Sequence, residues 1–151
     1  MLTIEVTETI GCTPDELLEF VMDARRYAEV DRKIRPVVWM RRDGDLTEFA
    51  FRPRLAGLPV PPTVSQMRRT PGERVDVRLA PAPANRLTRL FSDFDASFVC
   101  TPVERGTRLT RTLNFHFRPW LRWLEPVLRR KVTGEVAEEV RLAKRYLEGR
   151  A

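Results

Sequence analysis

Residues 120–151 read WLRWLEPVLRRKVTGEVAEEVRLAKRYLEGRA, and their apolar positions decide the architecture. Leu121, Leu124, Leu128, Val132, Val136, Val140, Ala143 and Leu147 recur at steps of three and four, the spacing that places side chains on one face of an α-helix. Arg122, Arg129, Arg130, Lys131, Glu138, Arg141, Lys144, Arg145 and Glu148 supply a charged back, and Gly149 stands where helices commonly stop. From Pro126 to Leu147 such a helix is roughly 33 Å long, the width of a small domain. A stripe of that length needs a broad apolar partner. The strands expected between residues 34 and 118 are the only candidate, so the spacing predicts an α+β fold in which an antiparallel sheet wraps one long C-terminal helix.

At the N-terminal end, Leu2, Ile4, Val6 and Ile10 alternate with polar residues, the period-two pattern of a half-buried strand. Thr13, Pro14 and Glu16 then form a helix start, with a cap, a proline at the first helical position and a glutamate closing the capping box. A short helix over residues 14–22 and a second over 23–30 follow. Strands are expected at 34–42 and 46–52, joined by a tight turn at Gly44, then at 63–69, 74–80, 91–101 and 107–117. Gly44, Gly72 and Gly106 then turn the chain at one end of the sheet. The other end carries residues 53–62, 80–86 and 118–123, all containing proline and bringing Leu55, Leu58, Val60, Leu87, Trp120 and Trp123 together. That collection fits the mouth of a cavity, or a plug that closes the core at that end.

Composition narrows the function classes. A length of 151 residues with 42% hydrophobic content suits one domain with one core. No window resembles a membrane span or an export signal, which points to a soluble, cytoplasmic chain. Cys12 and Cys100 follow no metal spacing and are expected to be reduced. The net charge of +6 is almost all arginine, interleaved with acids. With no aromatic platform expected among those arginines, nucleic acid is not indicated as a partner. No nucleophile triad, metal cluster or glycine-rich phosphate loop occurs, so no cofactor is expected.

The order β, α, α, six β, α, with Gly106, Thr107, Arg108, Leu109 and Thr110 opening the last strand after the Pro102 turn, resembles the START-like (SRPBCC) superfamily of polyketide cyclases, dehydrases and lipid transporters. Residues 14–21 after the first strand, and the final helix ending in residues 144–148, sit where that superfamily has its elements. The resemblance covers residues 1–151 as a single domain and implies a helix-grip fold: seven antiparallel strands, two short helices after the first strand, and a cavity for a hydrophobic ligand. It implies no one reaction, because the superfamily holds carriers, cyclases, hydroxylase domains and ribosome-associated proteins.

Candidate site residues come from side chains expected to face inward. Phe49, Phe51, Val77, Phe94, Phe98, Leu113 and Phe115 are expected to line an apolar cavity, with Trp120 at its mouth and Leu124 and Leu128 of the helix as its other wall. Arg111 falls on the inner face of the last strand, and Glu139 lies within about 20° of Val132 on the helical stripe. Both charges arrive at similar depth, so an inward pair of Arg111 with Glu139, or with Glu135, is expected at the cavity floor. It either makes two buried charges tolerable or orients a ligand carbonyl. His116 and the aspartates at 93 and 95 fall on the outer face and receive no role. Three functions compete: binding of a small hydrophobic molecule such as a lipid or polyketide, a cyclase or aromatase reaction, and a protein or ribosome interaction module. Stable membrane insertion is not expected, although Trp120 and Trp123 beside four arginines suit transient contact with a membrane surface.

Overall fold

The computed structural model describes residues 1–55 and 58–149, apart from the side chain of Leu55; the mouth position assigned to Leu55, and Ala56, Gly57, Arg150 and Ala151, lie outside the described residues. Strand β1 (Leu2–Ile10) leads into α1 (Pro14–Met22), where Thr13 Oγ1 accepts from the Glu16 amide at 3.1 Å and the capping box is complete. Helix α2 (Ala24–Tyr27) is only one turn long, shorter than the expected 23–30, because Asp31 caps a separate 3-10 turn, Arg32–Ile34. That turn also delays the next strand from residue 34 to β2 (Val37–Asp43), which pairs with β3 (Leu46–Phe51).

Residues 53–62, expected as a loop, contain a two-stranded ribbon, β4 (Arg54–Leu55) with β5 (Leu58–Pro59). Strands β6 (Thr63–Thr70) and β7 (Arg74–Leu79) follow, and then α3 (Arg86–Arg89), a short helix in place of uninterrupted chain. Asn85 makes that turn possible: it takes a left-handed backbone (φ 63°), and its amide bonds both the N–H and the C=O of Val64. The last hairpin is β8 (Ser92–Val103) with β9 (Gly106–Phe117). Gly106 is required there, since a Cβ would stand 2.2 Å from the Ile10 carbonyl oxygen.

Seven strands form one antiparallel sheet in the order β1-β9-β8-β7-β6-β3-β2. A 3-10 turn, Pro119–Leu124, then delivers α4 (Glu125–Glu148) along β1 and in the same direction. Arg129 near its start reaches the Thr3 carbonyl, and Glu148 at its end accepts the Gly11 amide at 2.8 Å. Leu128, Val132, Val136, Val140, Ala143 and Leu147 are all buried, as the periodicity predicts, and so is Glu139. Leu121 is buried in the preceding turn, and Leu124 only packs at the edge of the core. Among the described residues no helix is long and apolar enough to cross a membrane.

Candidate functional site

The most unusual feature of the interior is a cluster of charges around Glu139, which is 1% exposed. Arg111 on β9 donates from Nε to Glu139 Oε2 at 3.0 Å, so the pair expected from sequence is present, with Glu139 as the partner. Strand register explains the placement of Arg111. It stands between Val6 on β1 and Phe98 on β8, and its guanidinium carbon lies 3.9 Å from the Phe98 ring centroid. That face-on contact offsets part of the cost of Nη1, a buried donor with no hydrogen-bond partner.

Three further members were not legible in the sequence. Lys33, from the 3-10 turn, places Nζ 2.7 Å from Glu139 Oε1 and 2.9 Å from Asp31 Oδ1. Tyr27, at the end of α2, donates its hydroxyl to Glu139 Oε2. Arg111 Nη2 also approaches Asp31 Oδ2 at 3.9 Å. Two cations therefore balance two carboxylates behind a phenol, and all five residues are buried. The only hint was Lys33 itself, one of three lysines in a chain that otherwise uses arginine.

The cluster sets its own protonation states. Burial alone would raise the Glu139 carboxyl, but the charges of Arg111 and Lys33, with hydrogen bonds from Lys33 and Tyr27, hold it well below the usual carboxylate range. Burial and the neighbouring Glu139 charge push Asp31 the other way, up, against the pull of Lys33 and Arg111. Burial works against the Lys33 ammonium, yet Asp31 and Glu139 keep it protonated more firmly than a free lysine. Burial and Glu139 raise Tyr27, which stays a phenol and a donor at neutral pH. Cys12 and Cys100 are free thiols, raised by burial to about 11 and about 12.

An open cleft of about 620 Å³ reaches this cluster from the flank of α4. Lys131, Gly134, Glu135, Glu138, Glu139 and Leu142 line it from α4, Val30, Arg32 and Lys33 from the segment before β2, and Arg54 from β4. Seven of its ten lining residues are of charged type, whereas the sequence suggested an apolar cavity entered at the end of the sheet. Of the residues expected to line that cavity, Phe49, Phe51, Val77, Phe98, Leu113, Phe115 and Leu128 belong to the core, with Phe94 and Leu124 packed against it. Neighbouring rings touch along the inner face of the sheet, Phe49 on Phe51 at 5.1 Å and Phe94 on Phe115 at 5.0 Å, and Tyr27 meets Phe98 edge-on at 5.3 Å between centroids. Trp120 is exposed and rests on Phe91. On the outer face, His116 lies 3.0 Å from Asp95.

Solved structures share this architecture at low sequence identity. The Thermus thermophilus protein TTHA0849 superposes with a TM-score of 0.79 at 12% identity, covering 99% of each chain. The aromatase/cyclase Zhui from Streptomyces sp. R1128 gives 0.71 at 17% identity over 95% of this chain and 93% of its own. A START superfamily protein from Mycobacterium smegmatis gives 0.66 at 17% identity over 99% and 97%. No functionally curated protein matches the sequence. The family model described as polyketide cyclase / dehydrase and lipid transport, however, matches residues 1–148, nearly the whole length over which the helix grip is built, and the chain belongs to that family.

Proposed function

We propose that residues 1–151 act as one START-like domain that binds a small, largely hydrophobic metabolite, of lipid or polyketide type, in the cleft along α4. The observation that carries this reading is the placement of the Lys33–Glu139 pair on the lining of an open cleft of about 620 Å³, a volume typical of small-molecule sites. Val30 and Leu142 offer apolar surface, while Arg32, Arg54 and Lys131 suit an anionic or carbonyl oxygen on the ligand. The preferred ligand is thus an amphiphile and not a plain hydrocarbon.

A cyclase or aromatase reaction is the second reading, favoured by structural likeness to an aromatase/cyclase and by the protonated Lys33 on the cleft lining, with the donors Arg111 and Tyr27 buried behind it on Glu139. Donors of this kind can polarise a carbonyl and stabilise a developing oxyanion. Proton abstraction fits less well, because Glu139 is held strongly ionised and is a weak base at neutral pH. Binding therefore ranks first.

Gly134→Phe tests the reading. Gly134 lies on the cleft wall, and a Cβ there meets no atom within 4 Å, so the ring enters the cleft without disturbing the core. Native mass spectrometry of the protein purified from cells is expected to retain a small organic molecule, and Gly134→Phe is expected to lose it with its melting temperature preserved. Equal retention by the variant would remove the cleft from the account.

A further inference from the structure

The end of the sheet opposite the glycine turns carries a second feature, independent of the cleft. Trp120 and Trp123 are 59% and 69% exposed, and Leu87, Leu90, Phe91 and Val127 are also exposed around them. The arrangement is built, since these side chains stand on two short turns tied to each other. The Arg118 amide donates to the Phe91 carbonyl at 3.0 Å, Arg118 Nε donates to the Arg89 carbonyl at 2.9 Å, and the Trp120 and Phe91 rings meet at 5.6 Å. Trp123 donates its indole N–H to the Trp120 carbonyl, which satisfies the one polar atom of that ring. Val127 follows on the first turn of α4.

Charge in the same segments is one-sided. Residues 86–91 and 118–131 contain seven cations and a single carboxylate, Glu125, which lies 3.4 Å from the Met1 nitrogen. Elsewhere in the chain arginines and acids are interleaved and pair, as Arg42 and Arg69 do with Glu19. Indoles favour the boundary between hydrocarbon and headgroups, and arginine can rest its stem on apolar surface while its head reaches phosphate. We propose that this patch is a docking surface for an anionic lipid membrane: the two indoles and Val127 enter the headgroup region while Arg86, Arg122 and Arg130 engage lipid phosphates. The mode is peripheral, with no segment spanning the bilayer.

The exposed indoles also supply the aromatic platform whose expected absence argued against nucleic acid, so the test includes single-stranded RNA. In a Trp39→Phe background, which leaves the two patch indoles as the only tryptophans excited at long wavelength, the protein is mixed with phosphatidylcholine vesicles with and without phosphatidylserine. Binding to the phosphatidylserine vesicles is expected, with a blue-shifted emission quenched by brominated lipid. The double variant Arg122→Gln/Arg130→Gln is expected to weaken partitioning by about fivefold for each arginine removed. Trp120→Ala/Trp123→Ala, with melting temperature checked, is expected to abolish partitioning, read by co-sedimentation with vesicles because no patch indole remains. Any one of four results overturns the proposal: no preference for anionic vesicles, binding with the indoles still in water, tighter binding to single-stranded RNA than to vesicles, or a loss of self-association in the tryptophan variant that marks the patch as a protein contact.

Discussion

Replacing Glu139 by glutamine removes one negative charge from a cluster that balances two against two, and it leaves Arg111 and Lys33 facing only Asp31. Glu139 is 1% exposed and receives Arg111 Nε at 3.0 Å and Lys33 Nζ at 2.7 Å, so solvent cannot screen the loss. At an effective dielectric of about 20 and a charge separation of about 4 Å, one such contact is worth roughly 4 kcal/mol. Removing one partner of a buried pair typically costs about 3 to 5 kcal/mol. For a domain of this size that lowers the melting temperature by roughly 10 °C. The double variant Arg111→Met/Glu139→Gln removes one charge of each sign and leaves Asp31 and Lys33 at 2.9 Å, so it is expected to recover much of the loss. Urea unfolding followed by far-ultraviolet circular dichroism gives the cycle. A Glu139→Gln midpoint equal to the parent's, or a double variant less stable than the sum of the two single losses, would refute the balanced-cluster reasoning.

Val136→Asp places a charge at a fully buried position between α4 and the sheet and is expected to leave the chain unfolded; normal solubility and an unchanged melting temperature would count against the packing described. Acid titration should show Glu139 at work. Its folded carboxyl is held below the ordinary 4.5, so its stabilisation is complete above pH 4.5 and drains away as pH falls below that value. In the parent Asp31, whose carboxyl is raised by burial and by the Glu139 charge, acts with the opposite sign, favouring the fold at lower pH and offsetting part of that loss. Gly134→Ala is expected to gain about 0.5 to 1 kcal/mol in thermal unfolding, because glycine weakens a helix interior and the added methyl meets nothing within 4 Å.

What could be read from the sequence was whatever repeats with a period or violates one. The stripe from Leu128 to Leu147 and the alternation along Leu109, Leu113 and Phe115 are periodic, and the helix and the last strand followed from them. Arg111 and Glu139 interrupt those apolar faces, and each needs a partner, so the sequence left Arg111 facing Glu139 or Glu135, and the fold selects Glu139. Tyr27 falls in the expected second helix, and Asp31 and Lys33 in the connection to the next strand, where no apolar period marks any of the three as buried. Their burial is decided by how the 3-10 turn packs against α4, a tertiary fact. The cleft along α4 was not anticipated for a related reason. Inward-facing phenylalanines mark a core face, but their spacing does not reveal how much space is left between the rings and the helix. The residues that do line the cleft, among them Arg32, Arg54 and Lys131, belong to three separate elements and carry no shared pattern.

The claim that a ligand occupies the cleft along α4 is tested most directly by an amide NMR titration with an amphiphilic aromatic acid such as hydroxynaphthoate. Binding in the cleft predicts saturable shifts that concentrate at Val30, Lys33, Gly134 and Leu142 and disappear in Gly134→Phe. Shifts centred instead on Phe94 and Phe115, or none at saturating ligand with the fold intact, would contradict it.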